Sequence, residues 1–490
     1  MSEKSSQKKM ATLPSQVPTS KTLKDFRFPD KVDTRIGTLE FDMGMPTKET
    51  ADKLYDARDY QRAVQAYIWA LPMVGIYQAH KMHVANADAG FTDIVFYEGY
   101  RAVSVWLTAN ATTPYIICLP DLKSTGPLVV DFPAGQIAGM VDDCWERPLT
   151  DVGLSGPDKG KGGKYLILGP GQKTDWSEAD YTVRSTTNQL LIYYRVIEPD
   201  PQKAAALKKG VKVYSLSKKG NPPATRFLHV KQDGDLMFQT QPRGMEYWKL
   251  LKEAIDGEPV SDRDRFFMAM LRPLGLIKGQ PFKPDARQTE ILNEAALVGE
   301  AMAKANSFYK RFAGSRYRDD SDWDIVIQVD PKQDEDGWSQ IDERAAYTYE
   351  ATSTSAGMVS QTPGVGSTYL GVYRDRDGRS FDGGKNYHLR IPPNPPAKQF
   401  WSFSVYENQT RTLIDNQEQR ADRSSRSEGL QTNGDGYVDL YFGPQAPAGK
   451  ENNWIQTVPG RGWFGYVRLY GPLEGYFKRE WPLPNIELVK

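Results

Sequence analysis

The densest run of charged and conformationally free residues is Gly156 to Lys164, G-P-D-K-G-K-G-G-K. Glycines at 156, 160, 162 and 163 allow successive backbone amides to curl into a concave nest, and Lys159, Lys161 and Lys164 add cationic side chains. That combination suits a carboxylate, sulfate or phosphate. A solvated turn whose glycines supply positive φ would use the same residues. Nucleotide hydrolysis has little support. The pattern G-x-x-x-x-G-K-[ST] fails at Gly160-Lys161, which has Ser155 in first place and Gly162 last, and at Gly163-Lys164, which has Asp158 and Tyr165.

Asp142 and Asp143, with Glu146 nearby, form the best acidic cluster and are the catalytic candidates. On a strand, neighbouring side chains point to opposite faces, so only one of the pair can face a given pocket. A carboxyl raised in pKa by burial beside Trp145 could act as general acid or base; a solvent-facing pair flanking a turn is the plainer alternative. If this pair and the lysine loop serve one pocket, a lysine and a carboxylate must converge on it, and three lysines outweigh one indole. That favours ligand orientation over proton transfer.

Asn110, Thr112, Thr113 and Tyr115 gather amide and hydroxyl groups ahead of an apolar run. They could hydrogen-bond a polyol or an ester oxyanion, or equally pair turn backbone. No G-x-S-x-G elbow occurs. His80 and His83, spaced i, i+3, could share a helix face, but no third metal ligand is indicated and H-E-x-x-H is missing. In the C-terminal part Trp401, Tyr406, Trp454, Trp463, Phe464 and Tyr470 crowd together, with Arg468 between the last two. Such rings would suit a flat or sugar-like ligand, while filling the core between two sheets is the simpler use.

The elements that must position these residues read as sheets presenting loops. Between Thr108 and Pro170 short β-rich segments alternate with turn clusters that hold nearly all the polar chemistry. Ala63, Ala66, Tyr67, Ala70 and Leu71 follow helical spacing, which predicts a helix from Lys48 stopped or kinked at Pro72, with a second piece over 75–84. Helical spacing returns over 244–312 through Trp248, Leu251 and Ile255, then Ile291, Ala295, Val298 and Met302. From Trp323 onward Tyr387–Ile391 and Trp401–Val405 alternate apolar with polar, and turn residues recur at short intervals, the pattern of antiparallel strands. The divisions expected are a disordered tail over 1–24, a β-rich domain over 25–243 with a helix near 48–84, a helical linker over 244–319, and an antiparallel sandwich over 320–490.

Composition narrows the partners. Lys+Arg and Asp+Glu are both 62, so no net field draws the protein to nucleic acid or an anionic membrane. No apolar run approaches the ~18 residues of a membrane span. Cys118 and Cys144 are the two cysteines, without C-x-x-C spacing, and read as buried free thiols. The opening M-S-E-K-S-S-Q-K-K-M is followed by no apolar region, which reads as cytoplasmic.

Several blocks carry a resemblance. A-N-A-T-T-P-Y (109–115), D-L-K-S-T-G-P (121–127), D-D-C-W (142–145) and the lysine loop, together with F-W-S-F-S-V-Y-E-N-Q-T-R (400–411), D-G-Y-V-D-L-Y-F-G-P (435–444) and R-L-Y-G-P-L-E (468–474), resemble bacterial proteins that pair the domain families DUF1254 and DUF1214. The resemblance covers nearly the whole chain from about residue 50. It implies two β-rich domains around a helical insertion, assembled as an oligomer, and it carries no catalytic residues with it. Relatives often bear export signals, which makes a periplasmic or secreted location the alternative.

The expectation is therefore a mainly β (α+β) protein with two sandwich or jelly-roll-like domains joined by a helical segment. It binds a small polar or anionic molecule, carbohydrate-like among the options, near residues 110–164, without cofactor or metal, as a homo-oligomer. The ligand-binding candidates are Asn110, Thr112, Thr113, Tyr115, Trp145, Lys159, Lys161 and Lys164. A metal-independent hydrolase or lyase using Asp142 or Asp143 is the alternative, and a structural or assembly role the third.

Overall fold

A computed structural model describes residues 28–489. The tail expected over 1–24 lies outside the described residues. Three central strands of the first half, Ile94–Tyr97, Tyr115–Cys118 and Leu190–Val196, are apolar at almost every position, because both of their faces are covered. Ile94, Phe96, Ile116, Cys118, Ile192 and Tyr194 turn to one core. Val95, Tyr97, Ile117, Leu191 and Tyr193 turn to a second. These strands belong to a six-stranded sheet in the order Phe227–His229, Ile94–Tyr97, Tyr115–Cys118, Leu190–Val196, Ile137–Asp143, Pro148–Gly153. A four-stranded sheet, Tyr181–Arg184, Gly163–Leu168, Leu128–Phe132 and Lys212–Ser215, shares the first core through Leu128, Val130 and Ile167.

The second half repeats the plan. Asp324–Ile325, Ser367–Val372, Gly462–Pro472, Ala397–Glu407 and Asp422–Ser424 lie side by side, with Phe381–Asp382 also on Gly462–Pro472. A four-stranded sheet, Trp454–Gln456, Val438–Gly443, Tyr387–Ile391 and Glu487–Leu488, meets one face of it, where Phe403 packs on Phe442 with ring centroids 4.9 Å apart. Pairing in this half is antiparallel except between Val438–Gly443 and Trp454–Gln456. Much of the aromatic crowd seen in the sequence fills this core: Trp463 is fully buried and stacks on Phe381 at 4.1 Å.

Helices fill the space beside the two six-stranded sheets, and here the expectations need correction. Thr47 caps a single helix, Lys48–Ala87, which continues past Pro72 instead of stopping there. Proline removes one backbone donor and crowds the preceding turn, a cost of about 3 kcal/mol. Tertiary packing outweighs it, since the residues from Ala66 to Ile76 are all buried. Met245–Gly257, Ala286–Phe308 and Ile341–Glu350 pack on this helix. Gly299 lets one of them approach closely: a Cβ there would stand 2.5 Å from the Tyr67 ring. Pro201–Gly210 and Ile341–Glu350 are helices where strands and turns alone were expected. Helix and strand each make up 27 % of the chain, so the fold is mixed α+β rather than mainly β.

Candidate functional site

The two six-stranded sheets turn facing surfaces towards each other and leave a chamber between them. Along Leu190–Val196 every second side chain, Leu191, Tyr193 and Arg195, reaches it. Register adds neighbours from the adjoining strands, Ile117 and Met140 standing on either side of Tyr193. From the opposite sheet come Tyr466 and Arg468, with Tyr369 directly across from Arg468. The segment after Ile341–Glu350 closes one side with Ala351, Thr352 and Ser353. The free space amounts to about 50 Å³ for the centres of water-sized spheres.

The chamber is electrostatically one-sided. The Arg195 side chain makes no hydrogen bond or ion pair to another described residue, and its guanidinium lies 5.4 Å from the centre of the Tyr193 ring. Arg468, 5 % exposed, donates from Nε to the Tyr406 hydroxyl at 3.2 Å and from Nη2 to the Thr108 carbonyl, and it has no carboxylate partner among the described residues. No Asp or Glu lines the chamber among the described residues. Burial opposes the charge on both arginines, yet surrounding tyrosine oxygens, those of Tyr115, Tyr369 and Tyr470 for both, raise their pKa above the ordinary value. The two guanidinium groups thus share one set of tyrosines. Burial pushes the phenols of Tyr193 and Tyr347 well up, so they stay protonated and can donate. The Tyr193 hydroxyl and the Trp106 Nε1, both at the chamber wall, are buried without a partner.

Of the catalytic and ligand-binding candidates singled out in the sequence, only Tyr115 lines this chamber; Arg468, noted there among the C-terminal aromatics, lines it as well. Asn110 organises the loop before it: Oδ1 accepts from the Thr112 and Thr113 amides at 3.1 and 2.8 Å, and its own amide donates to the Tyr115 hydroxyl at 2.8 Å. Thr112 donates to Asp422 at 3.0 Å, and Thr112 and Thr113 line a separate cleft of about 330 Å³ with Tyr100, Arg420 and Asp422. Loop 108–115 is therefore the wall between cleft and chamber. Trp145 is buried elsewhere, its ring between the guanidinium groups of Arg263 and Arg344 at 4.8 and 5.1 Å.

Asp142 and Asp143 are both fully buried, on opposite faces of their strand. Asp143 accepts from the Trp145 amide at 2.9 Å and pairs with Arg147 at 2.6 Å, which makes it the organiser of the following turn. Asp142, across from Leu191, accepts from the Thr354 amide at 3.2 Å and does not line the chamber. Glu146 accepts from the Ser353 amide at 3.0 Å and Asp151 from the Gly357 amide at 3.1 Å. Three carboxyls of the first half thus pin the segment that closes the chamber. Burial, then the neighbouring Glu146 and Asp143, raises the Asp142 pKa well above the carboxylate range; burial does the same for Glu146.

The lysine loop stands apart from the chamber. Lys159 and Lys161 are exposed, and Lys164 is half-buried near the start of Gly163–Leu168, an inner strand of the four-stranded sheet. The nest is already filled from within. Asp158 Oδ1 accepts from the Gly153 amide at 2.7 Å and the Tyr165 hydroxyl at 2.6 Å, and Oδ2 accepts from the Gly162 amide at 3.2 Å. The structure does not bring lysines and acidic pair to one cavity. Sequence reasoning missed Arg195. The available signal was a charged residue in register with Leu191 and Tyr193 on a strand otherwise buried on both faces.

Both families of the resemblance are present in the chain. Residues 95–215 match DUF1254 and residues 366–474 match DUF1214, each described as a protein of unknown function. One arginine of the chamber comes from each matched region. A crystal structure of the VPA0106 protein from Vibrio parahaemolyticus shares the fold at 16 % identity and a TM-score of 0.55, over 88 % of this chain and 100 % of that one. An uncharacterized protein from Burkholderia cenocepacia aligns at 13 % identity and a TM-score of 0.40, over 89 % and 96 % of the two chains. No curated protein matches the chain.

Proposed function

We propose that this protein binds a small organic anion in the chamber between its two halves. The observation that carries the reading is a pair of buried or half-buried guanidinium groups, Arg195 and Arg468, facing one space with no carboxylate at its wall among the described residues. An uncompensated buried charge is costly, and a bound anion removes that cost. Guanidinium forks also match carboxylate geometry better than any other side chain. Calorimetric titration with small carboxylates, and with their neutral amides as controls, tests it. The carboxylates should bind, the amides should not, and Arg195→Gln should weaken binding tenfold or more. Equal binding of acid and amide, or an Arg195→Gln variant that binds unchanged, rejects the reading.

The hydrolase or lyase alternative draws no support from Asp142 or Asp143, which are bonded to backbone and to Arg147 behind the chamber wall. Pairing of a six-stranded with a four-stranded sheet in each half supports a sandwich-like description of both. Exposed Leu297 and Met302 on the helix Ala286–Phe308 support a homo-oligomer, which light scattering at micromolar concentration tests against the 55.2 kDa monomer mass.

A further inference from the structure

Resting on that reading, we infer that the anion is a short aliphatic dicarboxylate, held as a dianion with one carboxylate at Arg195 and the other at Arg468. The chamber wall carries two guanidinium groups and no acid among the described residues, so a monocarboxylate leaves one of the two charges uncompensated in a partly buried space. A dianion closes the balance. The acids nearby are committed elsewhere. Asp422, whose ionised form Arg468 favours, lies in the neighbouring cleft and accepts from Thr112 at 3.0 Å. Glu350, which the Tyr466 hydroxyl feels, pairs with Lys310 at 3.1 Å. The two arginines stand on facing sheets and act on the same tyrosines, Tyr115, Tyr369 and Tyr470, so one short molecule reaches both.

The rest of the lining suits four carboxylate oxygens joined by a few methylenes. Some hydroxyls of the wall are already engaged: Tyr347 donates to the Ser353 carbonyl at 2.6 Å, and Tyr369 pairs with Ser367 at 2.9 Å. Others keep a proton to give. Tyr115 accepts from the Asn110 backbone amide at 2.8 Å and from its side-chain amide at 3.2 Å, which leaves the phenol proton without an acceptor among the described residues. Its ring meets that of Tyr193 edge-on, with centroids 5.0 Å apart, so the free protons of Tyr115 and Tyr193 belong to one part of the wall. Trp106 adds an N–H that can only donate, and Thr108 and Ser353 add hydroxyls. Between these polar groups Ile117, Met140 and Leu191 offer apolar surface to the methylenes. Polar ends on an apolar middle match both parts of the lining.

Calorimetric titrations with succinate, its half-amide succinamate and inorganic phosphate, at a pH above both succinate pKa values, decide it. Succinate and succinamate have the same length and shape and differ in the second charge. Hydrogen bonds to a charged partner are worth about tenfold or more in affinity, so succinate should bind about tenfold or more tightly than succinamate. Phosphate, whose charge sits on one centre, should bind more weakly than succinate. In Arg195→Gln the preference for succinate over succinamate should disappear, and because the comparison is between two ligands of one variant, it holds whatever the variant does to stability. Succinamate binding the wild type as tightly as succinate overturns the dianion and leaves the anion-binding reading intact. Phosphate binding more tightly than succinate overturns the dicarboxylate in favour of a single-centred dianion. A succinate preference that survives in Arg195→Gln overturns the placing of one carboxylate at each arginine. Failure of all three ligands to bind the wild type overturns the anion-binding reading itself.

Discussion

Two cationic regions of this molecule invite the same function and are built in opposite ways. The loop Gly156–Lys164 carries its lysines on the surface and encloses its own anion, the Asp158 carboxylate, within the backbone nest. The chamber buries its cations and supplies no carboxylate to them among the described residues. A positive cluster in a sequence does not distinguish these cases. What distinguishes them is where the counter-charge sits: a nest filled from within is a structural element, and a guanidinium pair left open is the basis of the proposed anion site.

The contrast can be broken most directly at Asp158. Asp158→Ala removes the acceptor for two backbone amides and the Tyr165 hydroxyl, leaving buried donors unpaired at about 1–3 kcal/mol each. We expect a loss of about 3 kcal/mol in urea unfolding, with small-carboxylate affinity unchanged at temperatures where the variant is folded. A variant that unfolds like wild type would mean the carboxylate is not what holds the loop.

Acid behind the chamber sharpens the comparison next. Burial holds Glu258 up to about 7, against amide bonds from Asn188 and Gln189, and raises Asp142 and Glu146 well above their ordinary range. A carboxyl whose folded pKa exceeds its unfolded value of about 4.5 binds its proton more tightly in the fold. Its contribution is therefore present at low pH and lost as pH rises through the folded value. His80 and His83 work the other way, since burial lowers both, His83 to about 3, and their protonation below 6.5 favours unfolding. Three carboxyls outweigh two imidazoles, so stability should rise by on the order of 2 kcal/mol as pH falls from 7 to 5. Urea unfolding at a series of pH values checks it, and a steady decrease over that range would contradict the buried acids.

Arg195 offers the reverse of Asp158. In the absence of ligand it is a half-buried charge with no ion partner among the described residues, so Arg195→Met should leave unfolding free energy unchanged or raise it by about 1 kcal/mol. A small carboxylate that binds the wild type should raise the Tm of the wild type and not of the variant. A loss of stability beyond about 1 kcal/mol would place Arg195 among the structural arginines such as Arg147.

Much of the scaffold was legible in the sequence and most of the chamber was not. Continuous apolar runs such as Leu190–Tyr194 and alternating ones such as Tyr387–Ile391 announce strands, because side-chain period is a local property. Pro72 misled for the same reason: its local cost is visible, and the packing that offsets it comes from helices far along the chain. The chamber depends on pairs such as Thr108 and Arg468, 360 positions apart, and no spacing rule relates them. Asp158 was the exception. It lies inside the loop it neutralises, and a carboxylate in the middle of a glycine and lysine nest is a sequence-visible sign that the nest is already occupied.

The smallest expected effect is also the most direct test of the difference between the two regions. Lys159, Lys161 and Lys164 form no ion pair among the described residues, and none of them lines the chamber or the neighbouring cleft. Screening by salt and water leaves little long-range attraction from such surface charges at physiological ionic strength. Replacing all three with glutamine should change unfolding free energy by less than about 0.5 kcal/mol per site and leave carboxylate affinity within twofold of wild type. Lys159 is the one to watch, because its charge slightly favours ionised Asp151, one of the three carboxyls that pin the chamber-closing segment. If the triple variant lost affinity while Lys161→Gln with Lys164→Gln did not, the loop would be coupled to the chamber through Asp151. If the double variant alone lost tenfold or more, the lysine loop would be the receptor and the arginine chamber a structural feature.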